Sequence, residues 1–254
     1  MFEHHRQTIA NLKEHFTKAD KYLAFLVNGS VARGEAREDS DVDFLLVVNE
    51  HNYKELSATN AILVEASEYC VQPCSEANGY VTTKSALRGV RDQGNEIAKW
   101  AFRDAKIVFS KDGEIDTLIR EIPNYPEQGR TRRMESFHSQ IFYHFSFFEF
   151  AYYSQNRYLM YETATKMILS AGRLILADNR MLYPNRKRFF LELKKAPEKP
   201  AGICEAMLAF LDNPTIDAGQ QIIEKLKAYK EYPLPPEGMK ARINKESLLN
   251  LEEW

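Results

Sequence analysis

The chain has 254 residues, 34 basic and 36 acidic, for a formal net charge of -2. That length supports one large core or two modest ones, and so balanced a charge supplies no overall field to draw in nucleic acid or an anionic membrane. No apolar run reaches the roughly eighteen residues that a membrane-crossing helix needs. The opening Met1-Phe2-Glu3-His4-His5-Arg6 also lacks the basic-then-apolar pattern of a secretion signal. A cytoplasmic protein without nucleic-acid or membrane partners is therefore expected. Its three cysteines fit reduced thiols: Cys70 and Cys74 are spaced wrongly for the common zinc pairs, and Cys204 lies far from both.

A first helix is expected around Thr8 to Lys18, with Ile9, Leu12 and Phe16 on one face. The short apolar run Tyr22–Val27, closed by Asn28-Gly29, reads as a buried strand. Gly29 lets the backbone come close to an anion. Ser30 adds a hydroxyl donor, and the stretch from Ser30 to Ala36 opens a short helix with free N–H groups at its start. The run from Asp41 to Val48 is the second strand. Asp41 and Asp43 stand two apart and share one face, while Phe44, Leu46 and Val48 share the other. Two crowded carboxylates repel each other, and a divalent cation with oxygen ligands relieves the repulsion. A Mg²⁺ held in this way also bridges triphosphate oxygens.

The next sheet element is expected at Glu76 to Thr83, with Ile62 to Glu65 as the earlier alternative. One helix from about Lys84 to Arg103 and a strand at Lys106 to Ser110 follow. The segment Ile122-Pro123-Asn124-Tyr125-Pro126-Glu127-Gln128-Gly129 carries two prolines and a glycine, which exclude a continuous helix, so the domain boundary is placed between Pro123 and Arg130. This gives domains at 1–124 and 130–254. In the second, Met134, Phe137, Ile141, Phe145, Phe148 and Tyr152 form one apolar stripe on a long helix, and another helix runs from about Tyr158 to Asp178. Asn213 before Pro214 reads as an N-cap with proline at the first helical position. Tyr232 to Pro236 is extended, and a short last helix carries Leu248, Leu249 and Leu251.

Val27-Asn28-Gly29-Ser30 followed by Asp41-Val42-Asp43-Phe44 resembles the signature of the DNA polymerase beta-type nucleotidyltransferase superfamily. Gly-Ser-x-Ala-Arg-Gly ahead of Ser-Asp-Val-Asp looks most like its small bacterial branch, which holds the antibiotic and the minimal nucleotidyltransferases. The motif covers about a tenth of the chain. The resemblance implies an α+β fold, a small mixed sheet flanked by helices, followed here by an all-α bundle that binds the acceptor. It also implies ATP or another NTP as co-substrate, with Mg²⁺ on Asp41 and Asp43, and Gly29, Ser30, Arg33 and Ser40 around the triphosphate. Arg33 equally suits a solvated basic face, where Arg37 is placed.

The family's third carboxylate is missing from its expected position, since the segment from Glu76 to Thr83 holds no Asp. Glu76 is the best substitute by position, Asn78 would be a neutral stand-in, and Glu65 or Glu68 would serve from an earlier strand. Its role is to accept the acceptor's proton or to complete the metal shell. On the long helix, Glu135, His138, Phe142, Ser146, Glu149 and Tyr153 form a mixed face that suits an acceptor cleft or simple packing. Glu149 is the first choice for an acceptor-side base there and Glu162 the second, while Lys166 and Arg173 are placed either to reach phosphates or to be solvated.

The leading expectation is transfer of a nucleoside monophosphate, AMP from ATP, to a hydroxyl of an unidentified small molecule. The alternatives are a module that adenylylates or neutralises a protein partner, and a nucleotide-binding protein without turnover. A homodimer is left open.

Overall fold

Residues 1–74 and 76–248 are described in the computed structural model, the side chains of 246–248 excepted. The chain divides into two compact units, one spanning Met1–Asn124 and the other beginning at Tyr125.

The first unit runs α1 (Glu3–Thr17), β1 (Tyr22–Val27), α2 (Gly29–Arg33), β2 (Val42–Val48), α3 (Glu50–Ala58), β3 (Leu63–Glu65), β4 (Ala77–Thr83), α4 (Lys84–Gln93), α5 (Glu96–Ala101), β5 (Lys106–Ser110) and α6 (Gly113–Glu121). Its five strands lie in the order β3-β4-β2-β1-β5. β2 and β4 are parallel, and the other neighbours are antiparallel.

Both faces of the sheet are buried by apolar side chains, as the alternation along β2 requires. On one face Leu12 and Phe16 of α1 pack with Phe25, Val27, Phe44, Leu46 and Val48. The rings of Phe16, Phe25 and Phe44 meet in pairs at 5.4 to 5.7 Å, within the range of favourable aromatic contacts. On the other face Ala24, Leu26 and Val47 pack with Leu87 of α4 and with Ile115, Leu118 and Ile119 of α6.

The single helix expected from Lys84 to Arg103 is two helices. α4 ends at Gly94, and the Asn95 side chain accepts a hydrogen bond from the Ala98 backbone N–H at 2.9 Å, starting α5. Asn is a strong N-cap and glycine a weak helix former, so the chain restarts there. α6 lies in a stretch where no element was expected. Asp112 caps it through the Glu114 N–H, and Ile115, Leu118, Ile119 and Ile122 supply a helical stripe beneath the sheet.

The second unit holds α7 (Arg130–Tyr153), α8 (Arg157–Asp178), α9 (Phe189–Lys195), α10 (Ile203–Asp212), α11 (Ile216–Tyr229) and α12 (Met239–Leu248). α7 and α8 form its central pair, whose core includes Ile141, Phe148, Met167 and Leu174, joined by Phe210 of α10 and Ile222 of α11. The N-cap of α11 is Thr215 rather than Asn213: the Thr215 hydroxyl accepts from the Ala218 N–H at 3.2 Å, and Pro214 precedes the helix. Leu248 ends α12, and the expected positions of Leu249 and Leu251 lie outside the described residues. No helix among the described residues is long and apolar enough to cross a membrane.

Candidate functional site

β1 ends in the turn that the sequence singles out. Gly29 has φ +68°, in the left-handed region that glycine enters without cost. A β-carbon built on Gly29 would overlap the Asp43 carboxylate, so only glycine lets the turn come this close to β2. The approach is fixed by the Asn28 backbone N–H, which donates to the Asp43 carbonyl at 2.9 Å. Asn28 Oδ1 is buried and accepts no hydrogen bond among the described residues. The turn therefore presents a glycine backbone and the Ser30 hydroxyl beside a carboxylate. α2 then closes at Gly34, also in the left-handed region, and the Ser30 carbonyl accepts from the Glu35 N–H at 3.0 Å.

Asp41 and Asp43 are both exposed, while Val42 and Phe44 between and beyond them are buried. Their neighbours on β4 follow from the parallel register, in which Val42 pairs with Ala77, Asp43 with Asn78 and Phe44 with Gly79. A side chain at Gly79 would strike the Phe44 ring, which shows that register partners share a face. Asn78 thus stands on the same face as Asp43, and Glu76, two residues earlier, stands on that face beside Asp41. The Val42 N–H donates to the Glu76 carbonyl at 3.0 Å, and Glu76 Oε2 accepts from Asn78 Nδ2 at 3.1 Å. Glu76 itself is exposed.

β3 is the earlier strand the sequence offered as an alternative, and it pairs with β4 so that Glu65 faces Asn78. Strands are spaced about 4.8 Å apart, so Glu65 lies about 10 Å from the β2 acids and Glu76 about half that. Among the described residues no group of three or more His, Cys, Asp or Glu side chains forms a ready metal cluster. The two aspartates nevertheless suit Mg²⁺, which is commonly held by one or two carboxylates together with substrate phosphates and water.

The other expected phosphate contacts are occupied within the unit. Arg33 Nε donates to Glu35 Oε2 at 3.1 Å, and its guanidinium lies 5.2 Å from the centre of the Trp100 ring, which also carries Arg103 at 5.1 Å. Trp100 comes from α5, the second of the two helices that take the place of the single one expected from Lys84 to Arg103. Ser40 Oγ accepts from the Arg37 N–H at 2.9 Å, and the Ser40 carbonyl meets Nε2 of the fully buried His5 at 3.0 Å. All three cysteines are free. Cys74 Sγ lies 3.7 Å from Cys70 Sγ and 3.5 Å from the Glu76 carbonyl, and burial pushes the Cys70 thiol up to about 12.

Glu149 belongs to the helical unit, half-buried on α7. Much of the mixed face it shares is engaged in packing. Glu135 pairs with Arg242 of α12 at 3.0 Å, His138 Nδ1 meets the Pro233 carbonyl at 3.1 Å, and Phe142 carries Lys227 of α11 at 5.3 Å from its ring centre. Glu162 and Lys166 pair with each other at 2.9 Å. Arg173 is buried, with its guanidinium 4.4 Å from the Phe137 ring centre and 5.2 Å from that of Tyr183, so it is neither solvated nor placed to reach out for phosphate.

Residues 8–90 match the nucleotidyltransferase domain family. The matched segment spans α1 through most of α4 and includes the glycine turn, both aspartates and β4. No curated protein matches the chain. Among solved structures, the chain is similar to a nucleotidyltransferase-like protein from Exiguobacterium sibiricum, at 12% identity over 96% of this chain and 76% of that one, with a TM-score of 0.48. It is also similar to spectinomycin adenyltransferase AAD(9) from Enterococcus faecialis, solved with ATP and spectinomycin, at 16% identity over 94% and 96% of the two chains, with a TM-score of 0.35.

Proposed function

We propose that the chain transfers a nucleoside monophosphate, AMP from ATP, to a hydroxyl of a small-molecule acceptor. The observation that carries this reading is the packing of the Gly29 turn against Asp43, with Asp41 exposed on the same strand face, inside the segment that matches the nucleotidyltransferase domain family. Gly29 and Ser30 bind the triphosphate through backbone N–H and hydroxyl donors.

Asp41 and Asp43 would hold Mg²⁺, which when bound offsets the charge of the phosphates. Glu76, on the neighbouring strand and exposed, accepts the proton of the acceptor hydroxyl. The hydroxyl oxygen forms a bond to the α-phosphorus, the bond from that phosphorus to the bridging oxygen breaks, and pyrophosphate leaves with the electron pair.

A second reading, nucleotide binding without turnover, is favoured by one feature. The register position beside Asp43 holds the neutral Asn78, where an acid would complete a set of three. Two variants decide between the readings. Asp43→Asn is expected to weaken Mg²⁺·ATP binding at least about a hundredfold by calorimetry, roughly 2.7 kcal/mol, while the melting temperature is kept. Unchanged affinity would remove the site. Glu76→Gln is expected to keep ATP binding and abolish pyrophosphate release with a panel of hydroxylated acceptors. If the unaltered protein binds ATP and releases no pyrophosphate with any of them, the second reading stands.

A further inference from the structure

The helical unit contains a cavity of about 390 Å³ that the nucleotide reading does not use. Its walls are apolar: Leu169 of α8, Tyr183 from the following loop, Phe189 and Phe190 of α9, and Leu211 of α10. Thr165, Lys166 and Arg186 complete the lining.

The walls are fixed from behind. Gly172 has no side chain because the Phe189 ring fills that space, which seats α9 directly on α8. Tyr183 is held by the buried Arg173 guanidinium, itself stacked on Phe137. The short turn carrying Arg186 is closed by Asn185, whose side chain accepts from the Arg188 N–H at 3.1 Å. A cavity with such supported walls need not reorganise in order to bind, and its volume falls at the lower end of the roughly 300–1,000 Å³ typical of small-molecule pockets.

The polar groups in the lining define the ligand's charge. Thr165 donates its hydroxyl back to the Tyr161 and Glu162 carbonyls at 2.8 Å each, so it does not serve a ligand. Lys166 is paired with Glu162. Arg186 is exposed and forms no hydrogen bond or ion pair among the described residues, leaving its planar fork of donors for a carboxylate or similar oxyanion.

We infer that this pocket binds a small aromatic acid, with its ring system between Phe189, Phe190 and Leu211 and its carboxylate on Arg186. The site lies wholly within the helical unit, and the inference stands whether or not the first unit transfers nucleotides.

Calorimetry on the full chain without nucleotide tests it, with 2-naphthoate and the neutral 2-naphthylmethanol as probes. Saturable 2-naphthoate binding is expected, with the alcohol at least about fivefold weaker. Arg186→Gln is expected to bring the acid down to the affinity of the alcohol while leaving the alcohol unchanged. Thr165→Trp, a substitution at an exposed lining position, is expected to abolish binding of both while the melting temperature holds. Absence of saturable 2-naphthoate binding overturns the inference, as does equal affinity in the Thr165→Trp variant. An acid that binds Arg186→Gln as tightly as the unaltered chain overturns the assignment of the anion to Arg186.

Discussion

The two units use their polar residues in opposite ways. In the first, the sheet buries nearly every apolar side chain of β1 and β2 and leaves Asp41, Asp43 and Glu76 exposed at one end, beside a glycine turn. In the second, charged and polar groups of the long helices serve largely to join helices: Glu135 to Arg242, His138 to the Pro233 carbonyl, and Arg173 between two aromatic rings. A polar residue exposed at the end of a strand is available for chemistry. A polar residue at helical spacing in a bundle is ambiguous until its neighbours are known, because the same spacing that lines a cleft also builds a helix interface.

The largest effect expected from this contrast is on stability, in the second unit. Phe148 is fully buried and meets Phe210 at 4.9 Å between ring centres. Phe148→Ala is expected to cost about 3–5 kcal/mol, visible as earlier thermal unfolding, with the affinity for Mg²⁺·ATP at low temperature unchanged. A parallel loss of nucleotide affinity would break the comparison by making the first unit's site dependent on the second unit's core.

The second effect is on pH. His144 of α7 is buried, and that burial, with a smaller contribution from Lys166 and opposed by Glu162, holds its imidazole down at about 4 against an ordinary 6.5. The folded state therefore favours the neutral ring, and the unfolded chain takes up the proton first as pH falls. The resulting stabilisation is complete above about pH 6.5 and is lost between there and about 4, up to about 3 kcal/mol in all. Chemical denaturation of the unaltered chain should show this slope, and His144→Phe should flatten it. An unchanged slope in the variant would show that other groups set the acid response.

In the first unit the corresponding effect is local. Gly29→Ala forces a left-handed backbone on a residue with a side chain, which costs about 1–2 kcal/mol, and its methyl group displaces the Asp43 carboxylate. A modest fall in melting temperature should accompany loss of Mg²⁺·ATP binding. Gly34→Ala is the control. It has a similar φ of +76° but open space where its side chain would go, so it should lower stability by a similar amount and leave binding in place.

The same contrast explains what the sequence made legible. The strands around the motif could be read because backbone requirements there are local: a glycine that must turn, and apolar residues alternating with acids. The parallel register that sets Asn78 beside Asp43 and Glu76 beside Asp41 could not be read, because it depends on a pairing across more than thirty residues. Trp100 beneath Arg33 was hidden for a similar reason, since the Gly94-Asn95 break before α5 passed for the interior of one helix. α6 had a visible signal in Asp112 followed by Ile115, Leu118, Ile119 and Ile122. α9 and α10 are short, and their place is set by contacts such as Phe189 over Gly172, which local pattern does not encode.

The smallest effect concerns a boundary where two neighbouring residues compete for one role. Asn213 before Pro214 has the form of a cap followed by proline at the first helical position, yet Thr215 is the residue whose hydroxyl accepts from the Ala218 N–H at 3.2 Å, and α11 begins at Ile216. The reason is geometric. A cap stands two or three residues before the N–H it satisfies, and with α11 helical only from Ile216, Thr215 is the residue in that position while Asn213 lies too far back to serve the first turn. Thr215→Ala should therefore cost about 1 kcal/mol, read as a shift in denaturant midpoint at constant slope, whereas Asn213→Ala should fall within about 0.5 kcal/mol of no change, as surface substitutions do. The reverse order would place the start of α11 two residues earlier, at Pro214, with Asn213 as the residue whose side chain satisfies the first turn.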